Sequence, residues 1–399
     1  MKLSKKPSKA QLHNLFDLGI EEIVDRAHLE KALYSGRVLR VKLGFDPTGD
    51  KIHIGRAIIL RKLRDFQRLG HKVVFIVGDF TARIGDPSDK LSKRPMLSVE
   101  VIKKNIKNYK SQVGKVIDIK KAEFHFNSKW LKKLDFEEIA ELAESFSIQQ
   151  MLERRNFSDR LKKGEDISLR ELLYPLMQGY DSVAVKADVE LGGSDQLFNL
   201  HAGRVIQRHY GQEAQDIMTG EMLEGTDGRK MSTSWGNVIN MVDESNDMFG
   251  KVMSLRDDLI ERYFLLCTDL ERAEIETIVV GIKSGKLNPR DAKLRLAKEI
   301  VTIYHGAKKA KTAEEYFIKV FSKKELPKKI KEVKVRSQEL YAILVETKLV
   351  ASNGEAWRLI KQGGVKADNI VVKDPKAKVL GGVTIQAGKK HFVKITFKK

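Results

Sequence analysis

The order of apolar and polar positions changes period along this chain. "VLRVKLGF" (38–45) and "KVVFIVGDF" (72–80) are short apolar runs rich in β-branched residues, the pattern of strands buried on both faces. Between them, residues 55–69 place Ile59, Leu63 and Phe66 on one helical face. Arg61, Lys62, Arg64 and Arg68 lie elsewhere, and Gly70 follows as a stop. Strand, helix, strand in this order predicts a βαβ unit with parallel strands and therefore an α/β fold. From about 245 to 320 the apolar spacing is helical, as in "LRDDLIERYFLL" and "PRDAKLRLAKEIVTIYHG", and predicts a helical domain. "SKKELPKKIKEVKV", starting at 322, reads as a basic linker. The last unit is expected to begin with helices and end in short strands. Ser352 and Glu355 have capping-box spacing, Gly363 and Gly364 close that helix, and "VKITF" alternates as a strand does. No repeat of solenoid period is present, which favours a single-copy multidomain enzyme.

Composition narrows the picture. At 399 residues, with 42% hydrophobic and 32% charged side chains, the chain has material for two or three ordinary cores. Its net charge of +20 is unevenly placed: residues 321–399 hold 19 basic and 7 acidic side chains, which is +12 of that total. Such a tail suits a polyanion, and on charge alone a merely solubilising surface fits equally well. The single cysteine, Cys267, excludes an intrachain disulfide and a cysteine-rich zinc site, and fits a reducing cytoplasm. "MKLSKKPSKAQLHNLF" lacks the apolar core of a signal peptide, and no run reaches the length of a membrane span, so a cytoplasmic, non-membrane protein is expected.

Two stretches carry candidate chemistry. "FDPTGDKIHIGR" (45–56) puts His53 and Gly55 where a strand hands over to a helix. The carboxyl ends of parallel strands are where α/β sheets bind ligands, and a helix N-terminus there offers unpaired amides to phosphate. Gly55 would let a nucleotide approach the backbone, and His53 could donate to a phosphate oxygen. "GRKMSTSWGN" (228–237) sets Lys230 among the hydroxyls of Ser232, Thr233 and Ser234, a composition suited to a triphosphate. Either stretch alone is also compatible with a local cap or a solvated loop. Together, separated by a long insertion, they resemble the paired ATP signatures of class I aminoacyl-tRNA synthetases.

Within that class, "VKLGFDPTG", "LYPLMQGYDSVAVKADVELGGSDQ" and "LEGTDGRKMSTS" resemble the bacterial tyrosyl-tRNA synthetases, over nearly the whole chain. The resemblance implies a Rossmann-like parallel-sheet catalytic domain over 1–240 and an α-helical anticodon-binding domain over 241–321. A linker over 322–334 and a small α+β RNA-binding domain over 335–399 would follow, the latter of the type first named from ribosomal small-subunit protein S-four. The implied partners are ATP with Mg2+, L-tyrosine and the tRNA for tyrosine. A homodimer is expected, and no protein-bound metal site. For tyrosine, the resemblance implies Asp181 at the phenol, Tyr174, Gln178 and Asp86 at the α-ammonium, and Lys42, Gly44, Asp46 and Gln196 around them. For ATP it implies Asp46, Thr48, His53, Gly55, Gly193, Asp195, Lys230, Met231 and Ser232. Lys90 and Arg94 would reach toward pyrophosphate.

The chain departs from the family's usual pattern at several of these places. Arg56 stands for the second histidine of the first signature and Thr233 for the second lysine of the other. Lys42 occupies a place often held by a phenol-contacting tyrosine, Glu190 that of a glutamine, Asp89 that of a loop glycine and Trp357 that of an arginine. His53, Arg56, Lys90, Arg94, Lys230 and Thr233 are the expected catalytic set. A carboxylate must attack the α-phosphate of a polyanion, so cationic groups have to offset repulsion between the reactants. Two rivals remain at this level: a tryptophan enzyme of the same architecture, and a non-catalytic RNA-binding protein with an enzyme-like body.

Overall fold

The computed structural model describes residues 4–88, 96–322, 330–368, 370–388 and 391–397. The chain forms two compact units, Met1–Ala313 and Glu314–Lys399.

In the first unit, β1 (Ile20–Val24), β2 (Arg40–Phe45), β3 (Lys72–Val77), β4 (Glu123–Phe126), β5 (Val189–Gly193) and β6 (Asp216–Gly220) form one sheet. Their spatial order is β1-β6-β5-β2-β3-β4. β2 to β6 pair in parallel, and β1 closes one edge antiparallel to β6. The two runs expected as strands are β2 and β3, paired in register from Arg40 opposite Lys72 to Phe45 opposite Val77. The intervening helix is Ile54–Arg68. Phe66 and Phe75 are fully buried; removing an apolar side chain of this size from water stabilises by about 2–3 kcal/mol. Val74 and Ile76 of β3 pack with Val185 and Ala187.

From β2 the chain builds outward through β3 and β4 on one side, then returns to build β5 and β6 on the other. Connections leaving the carboxyl ends of β2 and β5 therefore diverge, and a crevice opens between them, the usual place for a ligand in such sheets.

The helices Ser245–Met253, Ile260–Cys267, Arg272–Lys283 and Pro289–His305 occupy the segment expected to be helical. They belong to the same compact unit as the sheet. Arg61 Nη2 donates to Thr268 O and pairs with Asp269, which Arg64 also binds at 2.8 Å. Tyr263 Oη donates to Glu224 O at 2.7 Å.

The second unit has its own sheet, β7 (Lys331–Val335), β8 (Val365–Ala367), β9 (Ile370–Val371), β10 (Thr384–Ala387) and β11 (His391–Phe397), in the order β7-β11-β10-β8-β9. Leu340, Ile343, Leu344, Ala356, Ile360, Val365, Ile385 and Ile395 form its core. One expectation is corrected here. The end of the basic "linker" is a strand, β7, paired in parallel with β11 from Lys331 opposite Val393 to Val335 opposite Phe397. Among its lysines, Val333 and Val335 alternate with Lys334 as in a strand, and Val335 is fully buried. Ser352 Oγ caps the helix Asn353–Lys361 by accepting from Glu355 N, while the Glu355 carboxylate accepts from Ala351 N.

Candidate active site

The crevice at the carboxyl ends of β2 and β5 is a cavity of about 870 Å³. Every described residue of the expected substrate and catalytic sets lines it, from Lys42, Gly44 and Thr48 to Gly193, Ser232 and Thr233. Lys90, Arg94 and Asp89 lie outside the described residues.

Asp46 follows β2 directly and is held from two sides: Thr81 Oγ1 donates to Oδ1 at 2.6 Å and Tyr174 Oη to Oδ2 at 3.0 Å. This approach needs a glycine at 78, where a Cβ would fall 2.0 Å from Asp46 Oδ1 and 2.3 Å from Thr81 Oγ1. Burial raises the Asp46 carboxyl to about 7, against the two hydrogen bonds and aided by the Asp86 and Asp181 charges. Burial likewise pushes the Tyr174 phenol well above its ordinary range.

Asp181, in the helix Tyr174–Val185, is buried. Trp130 Nε1 donates to its Oδ1 at 2.7 Å and Asn127 Nδ2 to its Oδ2 at 3.2 Å. Its carboxyl is raised to about 6 by burial, with Lys42, Trp130 and Asn127 opposing. The other Asn127 amide hydrogen reaches Thr81 Oγ1 at 3.0 Å, so one buried amide ties Asp181 to the group that holds Asp46. Asp86 accepts from Gln196 Nε2 at 2.6 Å and from Ser88 N at 2.9 Å.

The two signatures meet at the other part of the cavity. His53 is the residue just before the helix Ile54–Arg68, and its backbone bridges to Asn240 beyond the second signature. A Cβ on Gly55 would come 3.1 Å from His53 Nδ1 and 3.3 Å from Met231 Sδ. His53 Nδ1 is buried with no hydrogen-bond partner among the described residues. Burial, with Arg56 and Lys230 nearby, lowers its pKa to about 3. The ring is neutral at physiological pH and offers one N–H rather than a charge. Positive charge at this end comes from Lys230, whose Nζ is 4.0 Å from Asp195 Oδ2, and from Arg56, whose guanidinium lies 5.4 Å from the centroid of Phe45.

The second signature is a loop pinned from within. Asn237 Nδ2 donates to Lys230 O and Asp227 Oδ1, and Asn237 Oδ1 accepts from Ser232 N. Arg229, which charge alone would offer to a phosphate, pairs with Asp227 at 2.6 Å and lies 5.0 Å from the Trp235 centroid.

Sequence reasoning did not single out Thr81, Asn127, Trp130 or Asn237. Thr81 and Asn127 do follow the carboxyl ends of β3 and β4, a position that could have flagged them. Lys42 lines the cavity, but its ammonium is bound to Glu190, Ser182 and Gln178 O and has no donor left for a phenol. Among the described residues, no group of three His, Cys, Asp or Glu side chains could hold a metal, and no helix is long and apolar enough to cross a membrane.

The sheet's switch point, with the two signature segments brought to one cavity, is the place where α/β folds bind ligands. The family model for class I tRNA synthetases (W and Y) matches residues 34–322, and the chain belongs to that family. It is 47% identical over 394 residues to the tyrosine-tRNA ligase of Carboxydothermus hydrogenoformans, covering 95% of this chain and 94% of that one. To the tyrosine-tRNA ligase of Thermotoga maritima it is 46% identical over 388 residues, 96% and 95% of the two chains. Its fold is that of a C-terminally truncated mitochondrial tyrosyl-tRNA synthetase from Aspergillus nidulans. The TM-score there is 0.66 at 24% identity, over 79% of this chain and 95% of that one. The Archaeoglobus fulgidus tyrosyl-tRNA synthetase, solved with L-tyrosine, superposes with a TM-score of 0.60 at 20% identity, over 76% and 98%. The α/β fold and the family implied by the sequence motifs are thus the observed ones.

Proposed function

We propose that this chain is a tyrosine-tRNA ligase that carries out both steps of its reaction at the cavity described above. A tyrosine carboxylate oxygen attacks the α-phosphorus of ATP, the bond to the bridging oxygen breaks, and pyrophosphate leaves. A hydroxyl of the terminal adenosine of tRNA then takes the tyrosyl group, and AMP departs. The observation that carries this reading is the meeting of His53, Gly55 and Met231 in one cavity with Asp46, Tyr174 and Asp181.

The assignments divide by charge. Asp181 suits the phenol hydroxyl as a buried acceptor, Tyr174, Gln178 and Asp86 suit the α-ammonium, and Gln196 stands near the reacting carboxylate. Asp46 lies between the two reactants. Neutral His53 donates a hydrogen bond to a phosphate oxygen, and the amides around Gly55 and Gly193 admit the nucleotide closely. Lys230 and Arg56 stabilise the charge that grows on the leaving oxygens, with Thr48, Asp195, Ser232 and Thr233 around the triphosphate. Mg2+ enters on the phosphates of ATP, as part of the substrate.

The basic unit 335–399 serves the tRNA, and the helical segment 241–321 its anticodon part. We also place the enzyme in the cytoplasm as a homodimer. Phe136, Ile148 and Leu169 are 87%, 65% and 77% exposed, apolar surface that a second copy would cover. Pyrophosphate exchange measured with each of the twenty amino acids tests the central assignment. Exchange with tyrosine alone is expected; exchange with tryptophan and not tyrosine would overturn it.

A further inference from the structure

Lys42 and Glu190 form an ion pair of 2.9 Å beneath the amino-acid end of the cavity, with side chains 0% and 1% exposed. Each is fully partnered. The ammonium gives its other hydrogens to Gln178 O at 2.9 Å and Ser182 Oγ at 2.7 Å. Glu190 Oε1 also accepts from Gln178 Nε2 at 3.2 Å, and Oε2 from Ser182 Oγ at 3.1 Å and from Gln215 Nε2. Gln178 is therefore held twice, by its backbone carbonyl to Lys42 and by its side-chain amide to Glu190.

Burying two charges costs about as much as their attraction returns, so such a pair is a poor stabiliser and its use has to be sought in geometry. We propose that the Lys42–Glu190 pair is a positioning element of the amino-acid site, which fixes the side-chain amide of Gln178 so that its oxygen is presented to the substrate ammonium. An ionised carboxylate can only accept a hydrogen bond. Gln178 must turn its nitrogen to Glu190, which leaves Oε1 for the cavity that this residue lines. A positively charged ligand group requires such an oxygen. With a glutamine at 190 the partner could donate or accept, and either orientation of Gln178 would be satisfied. Lys42 binds the same Glu190 oxygen, Oε1, at 2.9 Å, and so holds in place the acceptor that Gln178 faces. Neither residue needs to touch the substrate.

This assignment rests on the tyrosine reading above, and two competitive ligands separate the failures. Tyrosinol carries the phenol and the ammonium; 3-(4-hydroxyphenyl)propionate carries the phenol and the carboxylate but no ammonium. Both are titrated against tyrosine-dependent pyrophosphate exchange by full-length wild type, Glu190→Gln and Lys42→Met/Glu190→Gln. The double variant removes both buried charges together and keeps the test open if the single variant does not fold. The inhibition constant for tyrosinol is expected to rise by about tenfold, the scale of one hydrogen bond to a charged group, with that for the propionate nearly unchanged. In a Gln178→Ala background, Glu190→Gln should add no further loss. Equal losses for both ligands, no loss for tyrosinol, or an undiminished effect without the Gln178 amide would each overturn the positioning role. Wild type that binds neither ligand would overturn the functional reading and this assignment with it.

Discussion

Met231 packs against Gly55: a Cβ there would stand 3.3 Å from its sulfur and 3.1 Å from His53 Nδ1. Two segments far apart in sequence thus form one wall, with no room for a methyl group unless a neighbour shifts by a few tenths of an ångström.

Gly55→Ala is therefore expected to act on ATP rather than on tyrosine. The helix should tolerate alanine, so stability changes little. The KM for ATP in pyrophosphate exchange should rise by about tenfold while that for tyrosine stays nearly constant. A comparable rise for both substrates would mean that the glycine does not serve the nucleotide.

Asn127 is fully buried and donates to both Thr81 and Asp181. Asn127→Ala removes both bonds and the acceptor for Phe80 N at 3.0 Å. A loss of about 2–4 kcal/mol in unfolding free energy is expected from the unsatisfied groups, read by urea denaturation. The folded variant should also bind tyrosine more weakly, because the Asp181 carboxylate loses one of its two orienting donors. Unchanged tyrosine affinity would show that Trp130 alone orients Asp181.

The raised Asp46 carboxyl gives a pH signature. Its ordinary value is 3.8 and in the fold it is about 7, so the fold favours the protonated acid. That contribution is complete below the unfolded value and is lost as pH rises through about 7. Asp46→Asn has no charge to bury. Relative to wild type, the unliganded variant should gain about 4 kcal/mol of stability between about pH 4 and about pH 8, while losing adenylate formation. A stability difference that stays flat over this interval would contradict the inferred burial of the charge.

Ending the chain after Ser322 removes β7 to β11 and the core they enclose. Pyrophosphate exchange should persist at near wild-type rates. Aminoacylation should fall by at least about tenfold in kcat/KM and lose most of its salt dependence, since basic side chains on phosphates are the source of that dependence. Unchanged charging kinetics would remove the tail from productive tRNA capture.

Much of this was legible locally. The short β-branched apolar runs around Val41 and from Val73 to Val77 specify buried strands, and the spacing of Ile59, Leu63 and Phe66 specifies the helix between them, because run length and a period of about 3.6 follow from the backbone itself. In β7 the signal is the alternation of Val333 and Val335 with Lys334, masked by the surrounding lysines. Lys42 shows the opposite case. Its position in the motif pointed to the substrate phenol, yet its charge is spent on Glu190, a residue on the neighbouring strand opposite it in register.

What the sequence determined by itself is the opening strand–helix–strand unit, the helical stretch after 245, the α/β class, the family motifs and the basic tail, all of which follow from backbone periodicity, residue chemistry and charge counted along the chain. Only the tertiary structure decided which groups are paired, how far His53 is from carrying a charge, and that one amide joins Asp46's partner to Asp181. Hydrogen-bond partners and desolvation depend on the strand order β6-β5-β2-β3-β4 and on contacts between segments remote in sequence. No local pattern encodes those distances, and burial makes each of them matter.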